Sequence, residues 1–87
     1  MAQDEKTKLT VQIYHNTYTI VGTESESHIR LVASLVDQKM RDLSKQNKHL
    51  DTTRLAVLTA VNTMNEYIKL QQEHQALLRS LNKKEDH

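Results

Sequence analysis

The chain has 87 residues, twelve Lys and Arg against eleven Asp and Glu, no Cys, Phe or Trp, and a single Gly. That length limits it to one small domain, which buries too little surface to be comfortably stable alone; the lack of cysteine excludes disulfides and thiolate metal sites and fits a reducing cytoplasm. A net charge of +1 gives no general electrostatic reason to bind nucleic acid or an anionic membrane, and no apolar run approaches the ~18 residues of a membrane span.

The opening "MAQDEKTK" is charged and is not followed by the apolar stretch of a secretory signal. Residues 1–7 are expected to be a disordered tail. "KLTVQIYHNTYTIVG" then has the pattern of a hairpin. Leu9, Val11 and Ile13 alternate with Thr10, Gln12 and Tyr14, the period of a half-buried strand, and "TYTIV" is rich in β-branched and aromatic residues. A two-residue turn at His15-Asn16 would pair Ile13 with Tyr18, Val11 with Ile20 and Leu9 with Gly22, placing both apolar sets on one face. A lone hairpin is marginal in water, so that face must rest on helices.

A first helix follows, with Thr23 as N-cap and Glu26 as its capping-box partner, Ser25 being the competing cap. It is expected to end near Gln46 or Asn47. At ~100° per residue, Ile29, Val32, Val36, Met40 and Leu43 form the stripe expected to meet the hairpin. Leu31 and Leu35 lie on another flank. Arg30, Arg41, Lys45 and Lys48 share a basic face, which on most helices is simply a solvated surface.

After the connector "NKHL", Asp51 caps a second helix, with Leu50 and Leu55 at the positions of a hydrophobic staple. Nothing breaks this helix before "NKKEDH". At 1.5 Å per residue a helix of ~34 residues is roughly 50 Å long, whereas a compact monomer of this size has a radius of gyration of about 12 Å. The helix must therefore project, and its apolar side chains must find another chain. Val57, Val61, Met64 and Ile68 form the stripe expected to belong to the head core. Tyr67, Leu70, His74, Leu77 and Leu81, widened by Leu78, follow 3-4 spacing and form a coiled-coil seam of about two heptads. So short a seam needs a larger interface beside it, for which Leu31, Leu35, Leu55 and Leu58 are available. The resulting architecture is α+β: a hairpin packed on a short helix and on the start of a long helix that projects as a coiled coil. The head spans 8–69, the extension 70–87, and the chain is an intertwined homodimer, with a tetramer as the alternative.

Chemistry-bearing patterns are absent. The single Gly22 rules out a phosphate loop, and the five histidines show no metal-ligand spacing with one another. No Ser/His/Asp set can be argued from spacing. The expectation is a protein that is not an enzyme and holds no cofactor or metal. Helix-loop-helix DNA binding is the rival class, but Arg30 and Arg54 stand alone where that class needs a dense basic region; a coiled-coil adaptor for some other client is the third.

The "IY" that closes the first strand, "YTIVGTESESHIRLVASLVDQKM" and above all "LDTTRLAVLTAVNT" resemble the ZapA family of bacterial division proteins, over residues 8 to 82. The chain departs from the family in carrying His15 where a turn glycine is common, and in a C-terminal helix shorter than that of members that tetramerise through long coiled coils. What the resemblance implies is a cytoplasmic, non-enzymatic protein at the mid-cell division ring that binds FtsZ, crosslinks its protofilaments into bundles, promotes Z-ring assembly and lowers GTP turnover. By the same resemblance the FtsZ-binding candidates are Lys48 first, then Lys45, Arg41 and Arg30 on its face, and Asn16 at the hairpin tip.

Overall fold

The computed structural model describes residues 6–85, which form strand β1 (Thr7–Ile13), strand β2 (Asn16–Gly22), helix α1 (Glu26–Gln46) and helix α2 (Thr52–Glu85). The expected tail at 1–7 lies mostly outside the described residues, and Thr7 already opens β1.

The two strands pair antiparallel, but the turn is Tyr14-His15 and not His15-Asn16: both residues have positive φ, 47° and 73°. Ile13 therefore pairs with Asn16, Val11 with Tyr18 and Leu9 with Ile20. Positive φ at both central positions is the type I′ pattern, whose twist suits a hairpin. A slip of two residues leaves every side chain on its face, whereas a slip of one inverts them all. Hydrophobic alternation is thus blind to this difference, and the contacts of Tyr14 with α1 decide it. Leu9 and Val11 of β1 are buried against Ile29 and Ala33 of α1, with Ile13 and Ile20 packed at the margin.

Helix α1 is capped by Ser25, not Thr23: the Ser25 hydroxyl accepts the His28 N–H at 3.1 Å. Glu26 is then the first helical residue and stands too early for a capping box, though its charge suits the positive end of the helix. The hairpin-facing stripe also differs from the expected one. Ile29, Ala33 and Met40 are buried, while Val32 is 45% exposed. At ~100° per residue the buried direction is centred near Ala33, turned away from Val32 toward Asp37 and Ser44. The helix ends at Gln46, with Asn47 as its C-cap.

Asp51 caps α2, its carboxylate accepting the Arg54 N–H at 2.8 Å. Four residues into α2, Leu55 is 1% exposed, and Thr59 one turn later is also buried. The Thr59 hydroxyl donates to the Leu55 carbonyl at 2.8 Å, so this buried polar group is satisfied within the helix. Lys39 of α1 reaches Glu66 of α2 in an ion pair that ties the two helices. Val57, Val61 and Met64, expected in the head core, are exposed. The core-facing side of α2 is the opposite one.

Helix α1 is thus the middle layer, with β1 on one side and α2 on another. The 34 residues of α2 make a rod of about 51 Å. The radius of gyration is 18.0 Å, against about 12 Å for a compact chain of this length. The accessible surface is 7390 Å², where a compact monomer of this mass exposes about 5,300 Å². The surplus lies in the scale of an obligate interface, and its apolar part is ordered on particular helix faces.

Candidate functional site

The first site is an apolar surface. Leu55, Thr59, Asn62 and Glu66 define the side of α2 turned to α1; Val57, Val61, Met64 and Ile68 lie roughly 160° away on the helix wheel. In its first half, α2 therefore carries two opposed faces, one closed by its own chain and one open. Its second half carries the seam of Tyr67, Leu70, Leu77, Leu78 and Leu81, all exposed, with His74 exposed among them. On α1, Leu31 and Leu35 are exposed as well. Val32, Leu35 and Val36 line a groove whose other wall is Thr63 and Glu66 of α2, bridged by the Lys39–Glu66 pair. Of the residues expected to supply an oligomer interface, Leu55 is covered by its own chain and Leu58 is half-covered, while the others stand open. Among the described residues, fourteen large hydrophobic residues are exposed against six hydrophobic residues buried. That ratio is the reverse of a self-sufficient monomer, which seldom exposes extended apolar patches.

The second site is polar and lies at the hairpin turn. Tyr14 and His15 form one wall of a concavity, and Gln38, Arg41, Ser44 and Lys45 of α1 form the other. Arg41 and Lys45 are thus brought to the turn. Asn16 also lies there, its side-chain amide donating to the Tyr14 carbonyl at 3.3 Å, so it braces the turn. Arg30 is placed elsewhere, in a separate hollow beside Thr10 and Gln12 of β1, about 16 Å along the helix from Arg41 at 1.5 Å per residue. Lys48 sits exposed in the connector.

Sequence reasoning overlooked Asp37. One carboxylate oxygen accepts the Tyr14 N–H at 2.7 Å, and the other accepts Arg41 Nε at 2.9 Å. The Arg41 hydrogen bond, followed by the Tyr14 N–H, holds the Asp37 carboxyl below the usual carboxylate range, and Asp37 in turn raises Arg41. The i, i+4 spacing of Asp37 and Arg41 was the available signal. The contact to the turn had none, because it depends on the hairpin's docking. Among the described residues no group of three His, Asp or Glu side chains could hold a metal ion, and no helix is long and apolar enough to cross a membrane.

A hairpin-and-helix head that carries a long helix with open apolar faces defines a class of small assembly proteins. Within that class, the sequence model of the family described as Cell division protein ZapA matches residues 9–87, and the chain belongs to the ZapA family. It is 58% identical to Cell division protein ZapA of Oceanobacillus iheyensis, an alignment spanning 99% of this chain and 100% of the relative. Identity to the ZapA of Geobacillus sp. (strain WCH70) is also 58%, over 99% of each chain. Among solved structures, a ZapA mutant dimer from Geobacillus stearothermophilus is similar with a TM-score of 0.71 and 50% identity, over 94% of this chain and 95% of that one.

Proposed function

We propose that this protein is a homodimer that binds FtsZ and crosslinks its protofilaments into bundles, promoting Z-ring assembly and lowering GTP turnover without catalysing a reaction itself. It acts in the cytoplasm, at the mid-cell division ring. The observation that carries the proposal is the set of apolar faces on α1 and α2 that the protomer leaves open, in a chain of the ZapA family. The similar Geobacillus stearothermophilus structure is of a ZapA mutant dimer, and closing these faces with a second copy is the simplest symmetric solution. A two-fold dimer presents each surface twice, so two weak contacts on neighbouring filaments combine into a crosslink by avidity.

The filament-binding surface is assigned to the basic side of α1, with Lys45 and Arg41 at the hairpin turn and Lys48 in the connector just beyond the helix. A basic face complements an acidic filament. Exposed charge pairs are worth about 0–1 kcal/mol each, so the test needs two reversals. Lys45→Glu with Lys48→Glu should leave the dimer intact in sedimentation equilibrium and abolish pelleting with FtsZ and GTP. Raising salt should weaken wild-type bundling in the same direction, since the Debye length falls to about 3 Å at 1 M. Undiminished bundling by the doubly reversed variant would remove the α1 face from consideration.

A further inference from the structure

We propose that Asp37 is a positioning residue: it holds the hairpin turn against α1, so that His15 and Lys45 face one concave site shaped for the carboxylates of an acidic protein segment. The segment's owner rests on the FtsZ assignment above; the holding of the turn does not.

The turn has no glycine, yet Tyr14 and His15 both occupy the left-handed region, which costs non-glycine residues about 1–2 kcal/mol each. Local sequence therefore does not explain the conformation, and contacts from α1 do. In a two-residue hairpin the N–H of the first turn residue has no partner on the opposite strand. Here that N–H, on Tyr14, donates to Asp37. The Tyr14 hydroxyl, at the other end of the same residue, is 2.8 Å from the Ser44 hydroxyl. Asp37 and Ser44 lie about two helical turns apart on one side of α1, so Tyr14 is gripped at its backbone and at its tip. The second oxygen of Asp37 holds Arg41 at 2.9 Å, which orients that guanidinium beside Lys45. The hollow between turn and helix results from this grip.

Charge makes the proposal separable from simple electrostatics. Asp37 is an anion behind a site that would receive an acidic segment, bonded to Tyr14 and Arg41 of its walls. On charge alone, its removal should tighten binding. As the residue that positions the turn, its removal should loosen binding. The two accounts thus predict opposite signs for one substitution. An asparagine keeps an acceptor at only one of the two oxygen positions that Tyr14 and Arg41 use, and should fall between wild type and alanine.

The experiment uses the full chain in its assembled state. Asp37→Ala, Asp37→Asn and the charge-neutral pair Tyr14→Phe and Ser44→Ala are compared in two measurements: pelleting with FtsZ polymers and GTP, and hydrogen exchange of the Tyr14 amide by NMR. For Asp37→Ala the expected result is a faster-exchanging Tyr14 amide, unchanged far-UV circular dichroism and sedimentation, and weaker pelleting; a loss of about threefold per site becomes about tenfold in bundling, because each crosslink uses the site at both ends. Tyr14→Phe and Ser44→Ala should move pelleting in the same direction by less, with no change of charge. Pelleting equal to or better than wild type in Asp37→Ala would overturn the positioning role, as would an unchanged Tyr14 amide. Should wild type itself not pellet with FtsZ, the assignment of the partner falls, and the amide measurement still decides whether Asp37 holds the turn. Should Asp37→Ala unfold, Asp37→Asn decides by the same pelleting with polymers and the same Tyr14 amide.

Discussion

Val61→Asp tests which side of α2 belongs to the protomer. Val61 is 61% exposed in the single chain, while Leu55 on the opposed side is 1% exposed. If a second copy covers Val61, the substitution places an unpaired carboxylate in an interface. Such a group costs about 3 kcal/mol or more. Two-fold symmetry introduces it twice, so the dimer loses about 6 kcal/mol, or roughly four orders of magnitude in dissociation constant at ~1.4 kcal/mol per decade. The protomer's own core is untouched, since Leu9, Val11, Ile29 and Ala33 form a separate cluster. Sedimentation equilibrium across nanomolar to micromolar concentrations should show dissociation. Leu55→Ala should behave differently, lowering the free energy of unfolding by about 2–5 kcal/mol through the cavity it leaves. A Val61→Asp variant that sediments as wild type at micromolar concentration, with an unchanged melting temperature, would refute the placing of the interface on this face.

Leu70→Glu and Leu77→Glu should each weaken assembly through the seam by several kcal/mol, about 3–5 by the cost of an unpaired buried charge, while circular dichroism reports an intact head; wild-type sedimentation by either would remove the seam from the interface. His15→Gly should stabilise the protein by about 1 kcal/mol, because glycine occupies positive φ without steric cost, and at fixed concentration the melting temperature should rise by about 4–8 °C. The acid limb of stability follows from Asp37, whose pKa is lowered on folding, first by Arg41 and then by the Tyr14 N–H. A depressed carboxyl contributes fully above its unfolded value and loses that contribution as pH falls through the folded one. The contribution should therefore be present above about pH 4 and fade below it, and Asp37→Asn should flatten that limb in thermal melts taken between neutral and acid pH.

Much of the fold was legible because the cues are local. Asp51 stands where a cap must stand, and α1 ends where the expected connector begins. The errors share a different cause. The turn lies one residue earlier than expected, which shifts the strand pairing by two; alternation repeats every two and cannot tell the registers apart, and the choice rests with Asp37 and Ser44 far along the chain. The faces of α2 are hard to tell apart in sequence because both carry apolar residues, and the one turned inward also carries Thr59 and Asn62. A hydroxyl that bonds the preceding turn is cheap to bury, and this is invisible in a polarity pattern. Val32 is the bulkier candidate for the hairpin face, yet the small Ala33 lets a strand approach closely and is the one buried. Of the candidate polar site, Arg41 and Lys45 could be found from the helix wheel. Asp37 could not be ranked above other surface acids until the turn was seen to rest on it.

The order of contacts along the chain bears on how the molecule forms. β1 meets β2 across a two-residue turn, α1 meets β1 two elements back, and α2 meets α1 directly. Each element packs on one that is next to it, or next but one, in the chain, so most loops to be closed are short, the tendency that speeds the folding of small domains. Hairpin closure takes about 1–10 μs and helix growth is faster still. The open faces of α2 cannot be closed by any such step. Their closure by a second chain is second order, so synthesis rate and local abundance, rather than chain topology, set the tempo at which the finished assembly appears.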